Sequence, residues 1–147
     1  GKIYFDLNQH AIYRNGRLVL LNRYIDDTEL VGLISSSLFV VCPYVDATQS
    51  GVIMSAFALN KPVIATNVGA LPTMVKNGQY GTIVPPKDAA ALATAIDTLI
   101  GNPQKIKAMT VNIEHDYSEG KYSWNAVAQG IIDIYTKKLS ISDNRNN

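Results

Sequence analysis

The sequence predicts an α/β protein in which a parallel sheet is covered by helices on both faces. Short apolar, β-branched runs alternate with longer segments of helical spacing. Each run is too short for a helix and ends at Pro, Asn, Asp or Gly. The last third holds no further run of this kind and turns wholly helical.

Ile3-Tyr4-Phe5-Asp6 reads as the end of a strand leading into a helix, with nothing before it. Doubly wound sheets usually open with a complete strand, turn and helix that supplies a phosphate-binding loop, and that first unit is expected to be missing. The predicted strands are residues 18–21, 38–42, 62–66 and 82–84, all four central and buried. Residues 27–37 read as a helix whose acidic start, Asp27 and Glu29, suits the helix dipole. Residues 50–59 read as a second helix closed by Asn60, and 71–76 as a shorter one ending at Asn77-Gly78. Residues 88–100 carry Ala and Leu at helical spacing, and Asn102-Pro103 puts a proline in the first turn of the next helix. Tyr122-Ser123-Trp124-Asn125 introduces a final amphipathic helix to about Leu139, with Trp124, Val127, Ile131, Ile134 and Tyr135 as its expected buried stripe. The expectation is one domain over residues 1–139 and a polar tail over 140–147. No repeat or low-complexity linker marks a second domain.

A chain of 147 residues is long enough for a real core but short for an enzyme with two substrates. With 47% hydrophobic residues and a net charge of +1, it is neither disordered nor drawn to nucleic acid by charge. The eight tyrosines are scattered and form no aromatic and basic nucleic-acid platform. Cys42, the single cysteine, sits in the apolar run Leu38-Phe39-Val40-Val41-Cys42 and reads as a buried, inert thiol. No run approaches the ~20 apolar residues of a membrane span, and the first residues lack the apolar core of a signal peptide. The expected setting is the reducing cytoplasm. His10 and His115 are isolated from other metal-ligand residues, so no metal site is predicted.

The candidate site is Pro43 through Ile53, a strand end followed by a polar turn and a helix start. Backbone N–H groups at a helix N-terminus lack internal partners, and the macrodipole favours negative charge, so a phosphate docks there without a charged side chain. Gly51 permits close approach, Thr48 and Ser50 offer hydroxyls, and the Asp46 carboxylate can accept bonds from sugar or ribose hydroxyls. The plainer alternative is an ordinary capped helix, for which Thr48 or Ser50 alone suffices.

The following segments are Asn60-Lys61-Pro62-Val63-Ile64-Ala65-Thr66, Val68-Gly69-Ala70-Leu71-Pro72, Asn77-Gly78 and Gly81-Thr82-Ile83-Val84-Pro85-Pro86-Lys87-Asp88. Together they resemble the C-terminal domain of retaining GT-B glycosyltransferases, whose pattern runs G-K-P-V-I-A-T, V-G-G-x-P-E-x-V, N-G and G-x-L-V-P-P-x-D. Arg23-Tyr24-Ile25 with the helix after it is similar to that family's base-proximal loop, and Tyr122-Ser123-Trp124 to its F-S-W signature. The resemblance covers most of the chain. It implies a Rossmann-like domain that binds a nucleoside-diphosphate sugar, with no metal or other cofactor, while a separate N-terminal domain holds a glycan or lipid-linked acceptor. Peripheral attachment at the inner face of the membrane is a further expectation for the full enzyme.

The family's E-x7-E pair aligns with Ala47 and Ser55, neither of them acidic. Asp46 is the candidate to replace the first carboxylate as the catalytic group, although a one-residue shift redirects its side chain. Ser55 offers a ribose one hydroxyl where Glu would engage two hydroxyls together. The resemblance thus assigns Thr48, Ser50, Gly51 and Val52 to phosphates and sugar, Ser55 to the ribose, and Arg23 and Tyr24 to the base. Lys61, beyond the helix end, reads as a solvated side chain, and Gly69 and Gly78 as turn residues. In the family the 68–71 loop borders the donor sugar. The basic loop that holds the diphosphate lies upstream of Gly1, so this chain alone is expected to be nearly inactive. Two alternatives stay open: a non-catalytic nucleotide-binding or scaffold module, and a fragment of a nucleotide-sugar epimerase of the same architecture.

Overall fold

The computed structural model describes residues 18–120 and 122–143, which fall in two units, residues 1–33 and 34–147. The features expected at Ile3-Tyr4-Phe5-Asp6, at His10 and at the last four residues lie outside the described residues. In the first unit, residues 18–26 are irregular and lead into α1 (Asp27–Ser36). Asp26 caps this helix, its carboxylate accepting the Glu29 N–H at 2.8 Å. The strand predicted at 18–21 does not form. A strand is stabilised by pairing and by burial of a face, and here Val19 is 79% exposed with no partner segment among the described residues of its unit.

The second unit holds three parallel strands in the order β1 (Val40–Cys42), β2 (Val63–Thr66), β3 (Gly81–Val84). Val40 pairs with Val63, and Val63 with Gly81. Parallel neighbours need a crossover; α2 (Gly51–Ala58) and α3 (Leu71–Val75) supply the two. Of the three described strands only β2 has neighbours on both sides, and it alone is buried at every residue. The expectation of uniformly central, buried strands therefore fails for β1 and β3, whose faces are partly covered.

One face of the sheet presents Ile64 and Val84 to Ala95, Leu99 and Met109. These last come from α4 (Ala89–Ile100) and α5 (Pro103–Glu114). The crossover helices bury Ile53, Ala56, Phe57, Leu71 and Val75, each such side chain contributing roughly 1.5–3 kcal/mol when large and apolar. The helix boundaries follow local chemistry. Asn60, at φ 55°, closes α2 in a Schellman arrangement, with Lys61 N–H on Ala56 O at 2.8 Å and Asn60 N–H on Phe57 O at 3.0 Å. The Asp88 carboxylate caps α4 at Ala91 N–H, 2.8 Å, and the Asn102 side chain caps α5 at Lys105 N–H, 3.0 Å, ahead of Pro103. Lys61 is half-buried rather than solvated, because its Nζ donates to the Ser37 carbonyl at 2.9 Å.

A π-helical turn (His115–Glu119) follows α5 and leads toward α6 (Trp124–Asp143). That last helix runs past the expected end near Leu139. The turn carries Tyr117 against Phe57, ring centroids 5.1 Å apart, and Tyr122 against Tyr117 at 5.0 Å. Fully buried Tyr80 donates its hydroxyl to Asp116. Burial first, and then the Asp116 carboxylate, push the Tyr80 phenol up to about 12. The apolar stripe expected to be buried on α6 is exposed instead: Val127 by 43%, Ile131 by 51%, Ile134 by 68% and Tyr135 by 67%. Helical spacing sets which side chains share a face, whereas burial also needs an element packed on that face. The side chain of Trp124 is outside the described residues.

Candidate functional site

The chain leaves β1 at the C-terminal edge of the sheet, where open α/β sheets collect ligands, and makes the turn of residues 43–50 into α2. Ser50 is the N-cap: it is 95% buried, and its Oγ receives the Ile53 N–H at 3.3 Å and lies 3.2 Å from the Tyr44 hydroxyl. The plainer of the two readings of this hydroxyl is therefore the one the geometry displays. The N–H groups of Gly51 and Val52, next along the helix, have no hydrogen-bond partner among the described residues. Open space lies in front of Gly51, where an added Cβ would meet nothing within 4 Å. Such a pair of N–H groups at a positive helix end suits an anion.

Around this point Asp46 and Thr48 are exposed on the turn, and Val52 is half-buried. Ser55 is half-buried one helical turn beyond Gly51, hence on the same face of α2. Sequence reasoning brought these residues together, and the fold keeps them together. It missed what holds the turn. The buried Thr66 hydroxyl, at the end of β2, donates to the Tyr44 carbonyl at 2.6 Å, and the Ala70 N–H donates to the Thr48 carbonyl at 3.1 Å. The Thr that ends the Pro62–Thr66 run is the one sequence signal for such a tether.

Two cavities adjoin these elements. One, of about 250 Å³, lies over the strand ends between Pro43, Val45, Thr66, Val84, Lys87 and Leu92. The other, about 720 Å³ and mainly apolar, opens between α2, α3 and the π turn, with Met54, Phe57, Met74, Tyr117 and Val127 in its wall. Neither was foreseen.

Arg23 and Tyr24 belong to the first unit. The Arg23 guanidinium grips Glu29 with two bonds of 2.6 Å, one to each carboxylate oxygen. That hydrogen bonding raises the Arg23 pKa and holds the Glu29 carboxyl below its ordinary range. Tyr24 is 85% exposed. Cys42 is buried, and burial pushes its thiol up, as an inert cysteine requires. His115 lies at the surface with its Nδ1 3.0 Å from Asp116. Among the described residues no group of three or more His, Cys, Asp or Glu is placed to hold a metal ion. No described helix is long and apolar enough to cross a membrane.

Comparison with known proteins accords with this architecture. The model of the family described as glycosyl transferases group 1 matches residues 6–102. D-inositol 3-phosphate glycosyltransferase 2 of Catenulispora acidiphila is 31% identical over 116 residues, 78% of this chain and 26% of that protein. Glycogen synthase of Mycobacterium tuberculosis is 28% identical over 131 residues, 86% of this chain and 30% of that protein. Sucrose-phosphate synthase of Thermosynechococcus elongatus superposes with a TM-score of 0.70 at 29% identity, over 88% of this chain and 32% of that one. The Anabaena protein HepE, solved in complex with UDP, shares the fold with a TM-score of 0.62 at 24% identity, over 71% of this chain and 29% of that one. The chain thus spans roughly a quarter to a third of the length of these proteins. It belongs to the group 1 glycosyl transferases, with the fold of a GT-B C-terminal domain.

Proposed function

We propose that this chain is the donor-binding portion of a glycosyltransferase that moves a sugar from a nucleoside diphosphate to a hydroxyl acceptor with retention. The observation that carries the reading is the pair of open N–H groups, Gly51 and Val52, at the exposed start of α2 in a member of this family. They would receive a phosphate oxygen of the donor. Thr48 would add a hydroxyl, Ser55 would meet the ribose from the same helix face, and Asp46 would accept bonds from the sugar. Ser50 would act through its cap, by fixing the direction of these N–H groups. No metal enters this scheme: the helix end would receive part of the diphosphate charge, and basic groups of the longer enzyme would offset the rest. The acceptor would be a glycan or lipid-linked hydroxyl bound by the rest of a longer enzyme working in the cytoplasm or at the inner membrane face.

The test is titration of the protein with UDP and with GDP while the amide resonances of Thr48 and Gly51 are followed. Saturable shifts of both are expected with one of the two nucleotides. The absence of any shift with either nucleotide refutes the site. A second reading, a nucleotide-binding module without catalysis, is favoured by Ala47 and Ser55 standing where the family pattern carries acids. It predicts those shifts without turnover of any nucleotide sugar by the full-length protein.

A further inference from the structure

On one side the β1–α2 turn is held by a single loop, residues 66–70, through two hydrogen bonds to its backbone. The Thr66 hydroxyl takes the Tyr44 carbonyl at the start of the turn, 2.6 Å away. The Ala70 N–H takes the Thr48 carbonyl, 3.1 Å away. Between them Gly69 lies so close beneath the turn that a Cβ on it would stand 1.8 Å from the Ala47 carbonyl oxygen and 3.2 Å from the Thr48 Cα. Both atoms are backbone, so no side chain can swing aside to make room. Gly69 also has φ +50°, a conformation that L side chains rarely adopt. At the far end of the turn, the Tyr44 hydroxyl reaches Ser50, the cap that aims the α2 N–H groups. A displacement at Ala47 therefore reaches Ser50 along the short stretch of backbone between them, and one at Tyr44 through the contact of the two hydroxyls.

We infer that the β2–α3 loop is the gauge of the donor site, with Gly69 and Thr66 as positioning residues. Through the backbone of Tyr44, Ala47 and Thr48 they set the height and direction of the turn that presents Gly51 and Val52. What they position is named by the donor-site reading above, and the inference rests on that reading for its ligand. Its conformational half stands on the tethers alone.

The experiment compares wild type with Gly69→Ala, Thr66→Val and Gly78→Ala. Gly78 is the control: its φ is +86°, so alanine there is strained too, yet a Cβ would meet nothing within 4 Å. In nucleotide-free protein, Gly69→Ala and Thr66→Val should shift the amide resonances of residues 44–51, and Gly78→Ala should leave them in place while lowering thermal stability. In titrations with whichever of UDP and GDP the wild type binds, Gly69→Ala should weaken binding at least tenfold and Thr66→Val about threefold, with Gly78→Ala at the wild-type value. Should Gly69→Ala fail to fold, Thr66→Val, which removes one hydroxyl without changing shape, decides the matter. A folded Gly69→Ala or Thr66→Val whose turn amides stay at their wild-type positions overturns the inference, as do variants that bind the nucleotide as tightly as a wild type that binds it. A wild type that binds no nucleotide refutes the proposed function instead, and the nucleotide-free spectra still decide whether the loop sets the turn.

Discussion

Replacing Tyr80 by Phe removes one buried hydroxyl and nothing else. The ring keeps its edge-on contacts with Phe57 at 5.6 Å and Tyr117 at 5.7 Å, so the change removes the bonds of the hydroxyl alone, the one it donates to the Asp116 carboxylate and the weaker one it accepts from Gln79 Nε2 at 3.1 Å. A hydrogen bond to a charged group contributes about 1.5–3 kcal/mol. Asp116 retains Gln79 Nε2 at 3.1 Å and His115 at 3.0 Å, which favours the lower end of that range, about 1.5–2 kcal/mol, or at least a tenfold change in the folding equilibrium. The pH dependence gives an independent signature. The folded phenol titrates near 12, above its ordinary value of 10.0, so from pH 10 upward the unfolded chain releases this proton first. Stability contributed by Tyr80 is thus fully present below pH 10 and is lost as the pH rises toward 12. Urea denaturation followed by circular dichroism should show the variant less stable at pH 7, with the gap to wild type narrowing between pH 10 and 12. A loss below about 0.5 kcal/mol at pH 7, within the range of an ordinary surface change, or a gap that stays constant across that alkaline range, would refute the reasoning.

Ser55→Glu supplies a second acceptor for paired ribose hydroxyls and should tighten binding of whichever of UDP and GDP the wild type takes several-fold, the equivalent of about 1 kcal/mol. Unchanged affinity by calorimetry would remove Ser55 from the ribose. Cys42, buried with a raised thiol pKa, should react with a thiol reagent at pH 8 only as fast as the protein unfolds. Labelling of the native protein at the rate of a free cysteine would contradict its placement.

Where the sequence spoke through local chemistry, the fold followed it. The Val63–Thr66 strand, the Asn60 helix stop, the helix from residue 89 to 100 and the Pro103 start each depend on residues within one turn of the element they define. Residues 18–21 and the stripe of α6 went the other way because pattern shows a willingness to be buried, and burial itself depends on a neighbour that no local pattern names. Lys61 was misplaced for the same reason, its partner Ser37 lying a full strand and helix earlier. At the candidate site the gathering of Thr48, Gly51 and Ser55 was legible, since they are close in sequence. The Ser50 cap was legible too, as the plainer of two readings, because its bond to Ile53 is local; that Thr66 and Gly69 fix the turn was not, because it depends on contacts between separate loops. The Tyr80–Asp116 bond joins residues with no shared motif and left no trace in the pattern.

The chain of rings from Tyr80 through Phe57 and Tyr117 to Tyr122 also has an optical meaning. Aromatic dichroism in the near ultraviolet arises from rings held in fixed, asymmetric packing and disappears when that packing loosens. Tyr24 and Tyr135 are exposed, so among the described tyrosines the ordered signal concentrates in this one cluster, Tyr44 apart. The cluster forms a wall of the larger cavity and is anchored on the π turn. A molecule entering that cavity, or a variant that loosens the turn, would register in this band. Events confined to the start of α2 would reach it only through Tyr44, giving a label-free way to tell the two regions apart in solution.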